Sequence, residues 1–279
     1  MNLKFLVNDY ILVWNLLFQA SISPDIHKLK QRLWNNYKNE YNMTFKDRNI
    51  MLKDPKNFIP NNDTIYNIFL ETKEYEFVLK NTEKYRKQIL GIWDNNKKFI
   101  DKELKDILKF DIPSYHVFIV DYLLDIIDIV SFDNDDYNLI VLGKTIDSSN
   151  SNKILIDLIY EIVRKEVREY RKDYKEIVQA IVELAILNEF STRINKRSQY
   201  LTGDPSLSYL KVQIYPYWLM YLGVSKEDMK NYMERDKISF DVTKYAYEKQ
   251  LKKLDLFQFI DFCIRNQKYI VKINELEII

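Results

Sequence analysis

The sequence has few residues that end helices or form tight turns. It contains four glycines and six prolines among 279 residues, whereas average usage is about 7% glycine and about 5% proline. Because hairpins depend on such residues, their scarcity excludes an all-β fold and favours long helices. With 47% hydrophobic and 30% charged residues, the composition is that of a folded chain with a large core, which excludes a disordered protein.

Cysteine is nearly absent as well. Cys263 is the single cysteine, which excludes an intramolecular disulfide and a metal site built from several thiolates. We therefore expect a reducing, cytoplasmic localisation. The apolar opening at 3–20 is interrupted by Asn8 and Asp9, which favours a buried first helix over a signal peptide. A membrane span needs about 18 or more apolar residues, and since no run reaches that length we expect no membrane partner.

Charge of one sign and nucleotide-binding motifs are also missing. Lysine and arginine number 42 and the acidic residues 41, so the net charge of +1 favours neither a polyanion nor an acidic surface. The Gly143-Lys144-Thr145 sequence lacks the upstream glycine of a phosphate loop. His27 and His116 are the two histidines, and no serine has Gly-x-Ser-x-Gly surroundings. We expect no cofactor and no serine or cysteine nucleophile.

The first 108 residues have helical periodicity. Asn8 and Asp9 can cap a first helix that is apolar on nearly every face. The 25–41 segment has apolar residues at steps of three and four, which predicts an amphipathic helix. A longer helix is predicted from about Glu74 to Leu108. Residues 1–108 are therefore predicted to form a helical N-terminal part.

The pattern changes after Pro113. Segments 115–122 and 137–142 are rich in β-branched and aromatic residues and predict two strands separated by a turn at 132–136, while 123–130 fits a strand or a helix equally well. Further helices are predicted at 153–170, 174–194, 207–220, 225–235 and 241–267. The predicted fold class is mainly α (α+β): a helical layer, a small sheet near 115–143, and a helical C-terminal part within 109–279. All of 1–279 is expected to pack as a single unit.

Two of these predicted helices carry glutamates that are candidates for a functional site. The first reads Tyr160-Glu161-Ile162-Val163-Arg164, and the second contains Glu183 and Glu189. With the order of elements over 115–218, this arrangement resembles the core of gluzincin-type zinc peptidases, whose first helix bears H-E-x-x-H and whose second helix donates a glutamate. The resemblance implies that Glu161 matches the catalytic base and that Glu183 or Glu189 matches the third zinc ligand.

Both histidine positions of that motif are altered. Tyr160 and Arg164 stand where the resemblance implies imidazole ligands, and a protonated guanidinium repels a metal dication. We therefore expect no catalytic zinc. A buried glutamate without a cation is costly, which leads to the hypothesis that Arg164 forms an ion pair with Glu183 or Glu189 in place of the metal.

The leading functional expectation is a non-catalytic cytoplasmic protein, a metal-free pseudo-peptidase scaffold that binds a protein or peptide. The residues expected to contribute to binding are Tyr160, Arg164, Glu183, Glu189, Tyr217 and Trp218. The last two belong to the aromatic run at 215–222, whose composition fits either a core element or a partner surface.

Three alternatives stay open at this point. The residues of the 153–170 helix fit an ordinary amphipathic helix with exposed ion pairs. Asp157, Glu161, Glu183 and Glu189 could instead form a carboxylate site for a Mg- or Zn-dependent hydrolase, in which Glu161 would be catalytic. Basic residues within 164–197 could bind nucleic acid, but the acidic residues interleaved among them favour a solvated face of mixed charge.

Overall fold

The computed structural model describes residues 1–18, 24–120, 138–143, 150–168, 170–198, 202–235 and 249–270. They form a mainly helical structure with a small three-stranded sheet, which confirms the predicted fold class. The helices in chain order are α1 (Asp9–Phe18), α2 (Pro24–Asn36), α3 (Lys38–Lys46), α4 (Arg48–Lys53), α5 (Thr64–Leu70), α6 (Lys73–Leu108), α7 (Ser151–Arg168), α8 (Lys175–Glu183), α9 (Ser191–Asn195), α10 (Ser208–Leu222), α11 (Lys226–Arg235), α12 (Leu256–Arg265) and α13 (Gln267–Ile270).

The sheet is parallel and has the order β1-β2-β3. Its strands are β1 (Leu3–Leu6), β2 (Tyr115–Val120) and β3 (Leu139–Gly143). Residues of β2 and β3 are almost all buried, as is usual for parallel strands covered on both faces. The two predicted strands are confirmed. Strand β1 was not predicted, because four residues are too few to show an alternating pattern.

The chain divides into two compact units, and the first contains 1–97 and 113–154. Its helix α1 is buried on nearly every face, as predicted, and the Asn8 Oδ1 accepts a hydrogen bond of 3.0 Å from the Ile11 backbone N–H at its start. The single helix predicted over 25–41 is instead two, because the helical path is interrupted at Tyr37 between α2 and α3.

The second unit contains 98–112 and 155–279. The helix predicted at 174–194 is present as α8 and α9 joined without a break by a π-helical segment, Leu184–Phe190. The helices predicted near 153–170, 207–220 and 225–235 correspond to α7, α10 and α11. The prediction that both units pack as one stays a prediction.

Some sequence predictions concern residues outside the described ranges. These are the turn at 132–136, the undecided segment at 123–130, and 241–248 of the last predicted helix. The described remainder of that last segment contains a 3₁₀ turn, Lys249–Lys253, and α12. No helix among the described residues is both long enough and apolar enough to span a bilayer.

Candidate functional site

Helix α7 positions three of the candidate residues. Its apolar stripe is buried, and the Asn150 Oδ1 accepts from the Lys153 backbone N–H at 3.2 Å to satisfy the helix start. Tyr160, Glu161 and Arg164 lie on the less buried side of the helix. The Arg164 guanidinium donates to the Glu161 Oε2 through Nη2 at 2.7 Å and Nε at 3.0 Å. Glu161 is therefore neutralised by a neighbour one helical turn away.

The π-helical segment shapes the second part of the site. A π turn is wider than an α turn and is found frequently at functional sites. Here the Asn188 amide donates to the Glu183 backbone oxygen at 2.7 Å. The Thr202 hydroxyl donates to the Leu187 oxygen at 2.7 Å, and the Thr202 N–H donates to the Asn188 Oδ1 at 3.2 Å. These side chains satisfy backbone carbonyls of the wide turns and hold the 202–204 backbone against them.

Glu183 is the centre of a buried polar network. Its Oε2 accepts from the Lys211 Nζ at 2.7 Å and from the Asp204 N–H at 3.1 Å, while its Oε1 accepts from the Gln179 Nε2 at 3.1 Å. The side chain of Lys211 is 0% exposed and that of Glu183 is 1% exposed. Lys211 also donates to the Thr202 oxygen at 2.8 Å. Both carboxylate oxygens are thus hydrogen-bonded. A buried ion pair is tolerated when hydrogen bonds of this kind satisfy its remaining lone pairs.

Gly203 lets the backbone approach the Glu183 carboxylate closely. Its φ of 102° lies in a region that side chains rarely adopt, and a Cβ at this position would run into the Glu183 carboxylate. The absence of a side chain lets the backbone pass directly over the carboxylate, so that the next N–H, that of Asp204, reaches it.

Tyr160 stands beside the same carboxylate. Burial raises the pKa of the Tyr160 hydroxyl, and the negative charges of Glu183 and Glu161 raise it further, whereas the Arg164 charge opposes them. The phenol therefore stays protonated at neutral pH. The charges of Glu161, Arg164 and Glu183 thus all act on the Tyr160 phenol, while the hydrogen bonds of Arg164 to a carboxylate within the described residues go to Glu161.

Glu189 belongs to a separate ion-pair cluster. The Arg193 Nε donates to the Glu189 Oε1 at 2.8 Å, and its Nη1 donates to the Glu103 Oε2 at 2.7 Å and the Asp106 Oδ2 at 2.6 Å. Burial alone would lower the pKa of Arg193, but the charges and hydrogen bonds of the three carboxylates outweigh it and raise that pKa. This arginine is fixed to carboxylates of α6 and of its own helix.

The expected ion pair between Arg164 and Glu183 or Glu189 is therefore wrong. Arg164 is drawn to Glu161 because the two lie three residues apart on one helix face, with the arginine 36% exposed. Lys211 and Arg193 supply the cations instead. Lys211 was not among the residues predicted from the sequence, although its position follows a pattern. It lies at helical spacing with Leu207, Ile214 and Trp218, which puts the lysine on the buried stripe of α10.

The four carboxylates proposed for a magnesium or zinc site are not assembled into one. Among the described residues, which include Asp157, Glu161, Glu183 and Glu189, no group of three or more His, Cys, Asp or Glu is placed to hold a metal ion. The physical reason is visible in the pairing. Glu161, Glu183 and Glu189 each turn toward a different cation of the chain.

Tyr217 and Trp218 lie in the aromatic part of α10. Trp218 is 1% exposed and packs in the core of the second unit, with its ring centroid 5.0 Å from that of Tyr221 and 5.8 Å from that of Phe259. Tyr217 is partly exposed and contacts the Phe262 ring at 5.7 Å. Of these two candidate binding residues, Tyr217 has surface available to a partner.

Several cations of the 164–197 region are engaged with carboxylates. Besides Arg164 and Arg193, the Arg171 Nε donates to the Asp261 Oδ1 at 2.8 Å, and that carboxylate also accepts from the Tyr170 hydroxyl at 2.9 Å. These hydrogen bonds lower the pKa of Asp261. A track for phosphates needs cations that are free to neutralise them, and these three arginines are already paired with carboxylates.

No protein-family model matches this chain, and no curated protein or solved structure is significantly similar to it.

Proposed function

We propose that this is a non-catalytic protein that acts by binding a protein or peptide. One observation carries the proposal. Each glutamate that the peptidase resemblance would assign to catalysis is held by a cation of the same chain: Glu161 by Arg164 at 2.7 Å, Glu183 by Lys211 at 2.7 Å and Glu189 by Arg193 at 2.8 Å.

Chemistry at a carboxylate needs a free oxygen. A general base must reach the proton that it removes, and a metal ligand must offer its lone pairs to the ion. The buried Glu183 can do neither, because Lys211, Asp204 and Gln179 occupy its oxygens. The network has a structural effect instead, since it joins α8, α10 and the 202–204 backbone. The proposal includes a peptidase-like scaffold that has lost its metal. It also includes a reducing, cytoplasmic setting, which suits a chain whose single cysteine, Cys263, is buried.

The experiment is a comparison of metal-induced thermal shifts. Purified protein is melted with Zn²⁺, Mg²⁺ or Mn²⁺ and without metal, as wild type, Glu183→Gln and Glu176→Gln. Glu176 is an exposed glutamate of the same helix and serves as the matched control. We expect a small metal-induced shift that is the same in all three proteins, whatever their melting temperatures without metal.

The opposite result would restore the hydrolase alternative. A metal-induced rise in melting temperature that Glu183→Gln abolishes and Glu176→Gln retains would place a metal at Glu183, since a ligand that binds the folded state stabilises it. A stoichiometric metal in the protein as purified would have the same meaning.

A further inference from the structure

Four aromatic rings of the first unit form a continuous row, which we call the aromatic row: Trp34, Tyr41, Phe18 and Phe45. The ring centroids are 5.4 Å apart from Trp34 to Tyr41, 5.2 Å from Tyr41 to Phe18, and 5.1 Å from Phe18 to Phe45. The inner ring of Tyr41 is buried, but Trp34 is 41% exposed and Phe45 is 58% exposed at the two ends.

The row joins side chains of three helices. Phe18 ends α1 and Trp34 lies in α2, while Tyr41 and Phe45 are four residues apart and so share one face of α3. Three more large apolar residues of this region are exposed: Tyr37, Met43 and Ile50. Removal of apolar surface from water is favourable, and exposed apolar clusters with a polar rim are typical of binding sites.

The same region carries a net positive charge. Residues 24–56 contain eight lysines and arginines and four acidic residues, a net charge of +4, while the whole chain carries +1. One of the four acids, Asp47, is buried. Lys38 places its Nζ 5.3 Å from the centroid of the Trp34 ring, and Lys46 next to Phe45 is exposed. Cations therefore flank the aromatic row.

We infer that the aromatic row binds an acidic amphipathic segment of a partner protein. This inference rests on the proposed binding function and names the surface and the chemistry of its partner. Apolar side chains of the segment, three or four residues apart on a helix, would lie on the aromatic row. Its carboxylates would face Lys38 and Lys46, which makes the charges of the two surfaces complementary.

The ring geometry favours a peptide over single-stranded nucleic acid. Bases stack on open ring faces, whereas neighbouring rings here meet edge to face, at 90° for Trp34 with Tyr41 and 76° for Phe18 with Phe45. The Lys38 ammonium also lies over the Trp34 face. Ring edges that meet in this way can be contacted by aliphatic and aromatic side chains of a peptide. An exposed methionine adapts readily to protein partners.

The experiment selects displayed random peptides on the purified wild-type chain and then measures the affinity of synthetic copies. The variants are Trp34→Ala, Phe45→Ser and Lys38→Glu. Phe77→Ala and Lys80→Glu are the controls, since Phe77 is 66% exposed and Lys80 is exposed on α6 of the same unit. Thermal melts establish that every variant is folded.

We expect enrichment of acidic peptides with apolar residues at helical spacing. Their affinity should fall about tenfold or more in the aromatic variants, as at an interface hot spot, and should fall with Lys38→Glu and with added salt. The control variants should bind as the wild type does. Peptides that bind without regard to these substitutions would overturn the surface assignment and leave the binding function standing, whereas a selection without any binder would count against the binding function itself.

Two further measurements assign the surface to another occupant if the inference is wrong. An oligo-dT strand that binds the wild type more tightly than the selected peptides do, and loses affinity in Trp34→Ala, would assign the aromatic row to nucleic acid. A dimer in sedimentation that Phe45→Ser dissociates would assign it to a second copy of this chain.

Discussion

Among the described residues, each unit contains an acidic side chain that is at most 1% exposed, and the two side chains have very different partners. Glu183 in the second unit is 1% exposed and is bonded to the Lys211 ammonium, a backbone N–H and an amide. Asp47 in the first unit is 0% exposed. Its Oδ1 accepts from the Asn61 Nδ2 at 2.6 Å and from the Asn61 N–H at 3.3 Å, while its Oδ2 has no hydrogen-bond partner among the described residues.

The difference shows two ways to bury a carboxyl group. A cation lets Glu183 remain ionised inside the protein. Asp47 has amide donors alone, and burial raises its pKa above the ordinary value, although the hydrogen bonds from Asn61 oppose the rise. The Tyr66 hydroxyl lies near Asp47 without reaching hydrogen-bond geometry, and burial with the negative charge of Asp47 raises the pKa of that tyrosine. The first arrangement balances the carboxylate with a buried cation, while the second leaves it with amide donors and a raised pKa.

The largest effect is expected when the cation of the first arrangement is removed. Lys211→Met leaves Glu183 buried without its partner, which should lower the free energy of unfolding by about 3–5 kcal/mol. The double variant Glu183→Gln, Lys211→Met should be more stable than Lys211→Met alone, because no unpaired charge is left at this site. Urea denaturation of the wild type and the two variants measures this. Equal stability of the single and double variants would show that the ion pair is not what the site depends on.

The next effect concerns the backbone that covers Glu183. Gly203→Ala adds a Cβ that meets the carboxylate at a φ of 102°, and we expect a loss of about 1–3 kcal/mol. Gly91→Ala is the matched control, since nothing lies within 4 Å of its added Cβ, and an alanine inside a helix should stabilise the protein by about 0.5–1 kcal/mol. Thermal melts that move both variants in the same direction would contradict the close approach at Gly203.

A smaller effect of opposite sign is expected at Asp47. Asp47→Asn keeps an oxygen for Asn61 and removes the charge, so the variant should be more stable at neutral pH by about 1 kcal/mol. The pKa of Asp47 is raised in the folded state from an ordinary value of 3.8, so wild type loses stability as pH rises through the window above 3.8. The advantage of Asp47→Asn should thus shrink as pH falls toward 3.8. Denaturation midpoints across acid pH measure it, and an advantage that grows on acidification would reverse the assignment.

The smallest effect is expected at the partly exposed pair of α7. Arg164→Ala removes a partner from Glu161, where the arginine is 36% and the glutamate 14% exposed. Because water still reaches the pair, we expect a loss near the value of surface pairs, about 1 kcal/mol. Chemical denaturation should therefore separate this variant clearly from Lys211→Met. A loss as large as that of Lys211→Met would mean that Arg164 also compensates a buried charge.

Parts of the fold could be predicted because their patterns are local. The long helix predicted from Glu74 is Lys73–Leu108, since its periodicity persists over many turns. The segment at 115–122 became β2, Tyr115–Val120, because β-branched and aromatic residues suit a buried strand. Strand β1 gave no such signal. It is stabilised by pairing with β2, as in Leu3 opposite Tyr115, and such a partner far along the chain cannot be read from four residues.

The pairings of the candidate residues could not be predicted. The sequence singled out Tyr160, Glu161, Arg164 and Glu183 on two helical segments, and that assignment to a site stays a prediction, whereas the expected bond from Arg164 to Glu183 is replaced by one to Glu161. The partner of Glu183 was missed because Lys211 is 28 residues away. Its placement depends on where α10 packs and on the turn at Gly203.

The sequence by itself determined that the chain is mainly helical with buried strands near 115–143, because helical and strand periodicities are properties of neighbouring residues. It also determined which charges are present. The tertiary structure alone decided which cation meets which carboxylate, and left Asp47 with amides and Glu183 with a lysine. The physical reason is that an ion pair forms between whichever groups packing brings within reach, and burial then makes that choice energetically large.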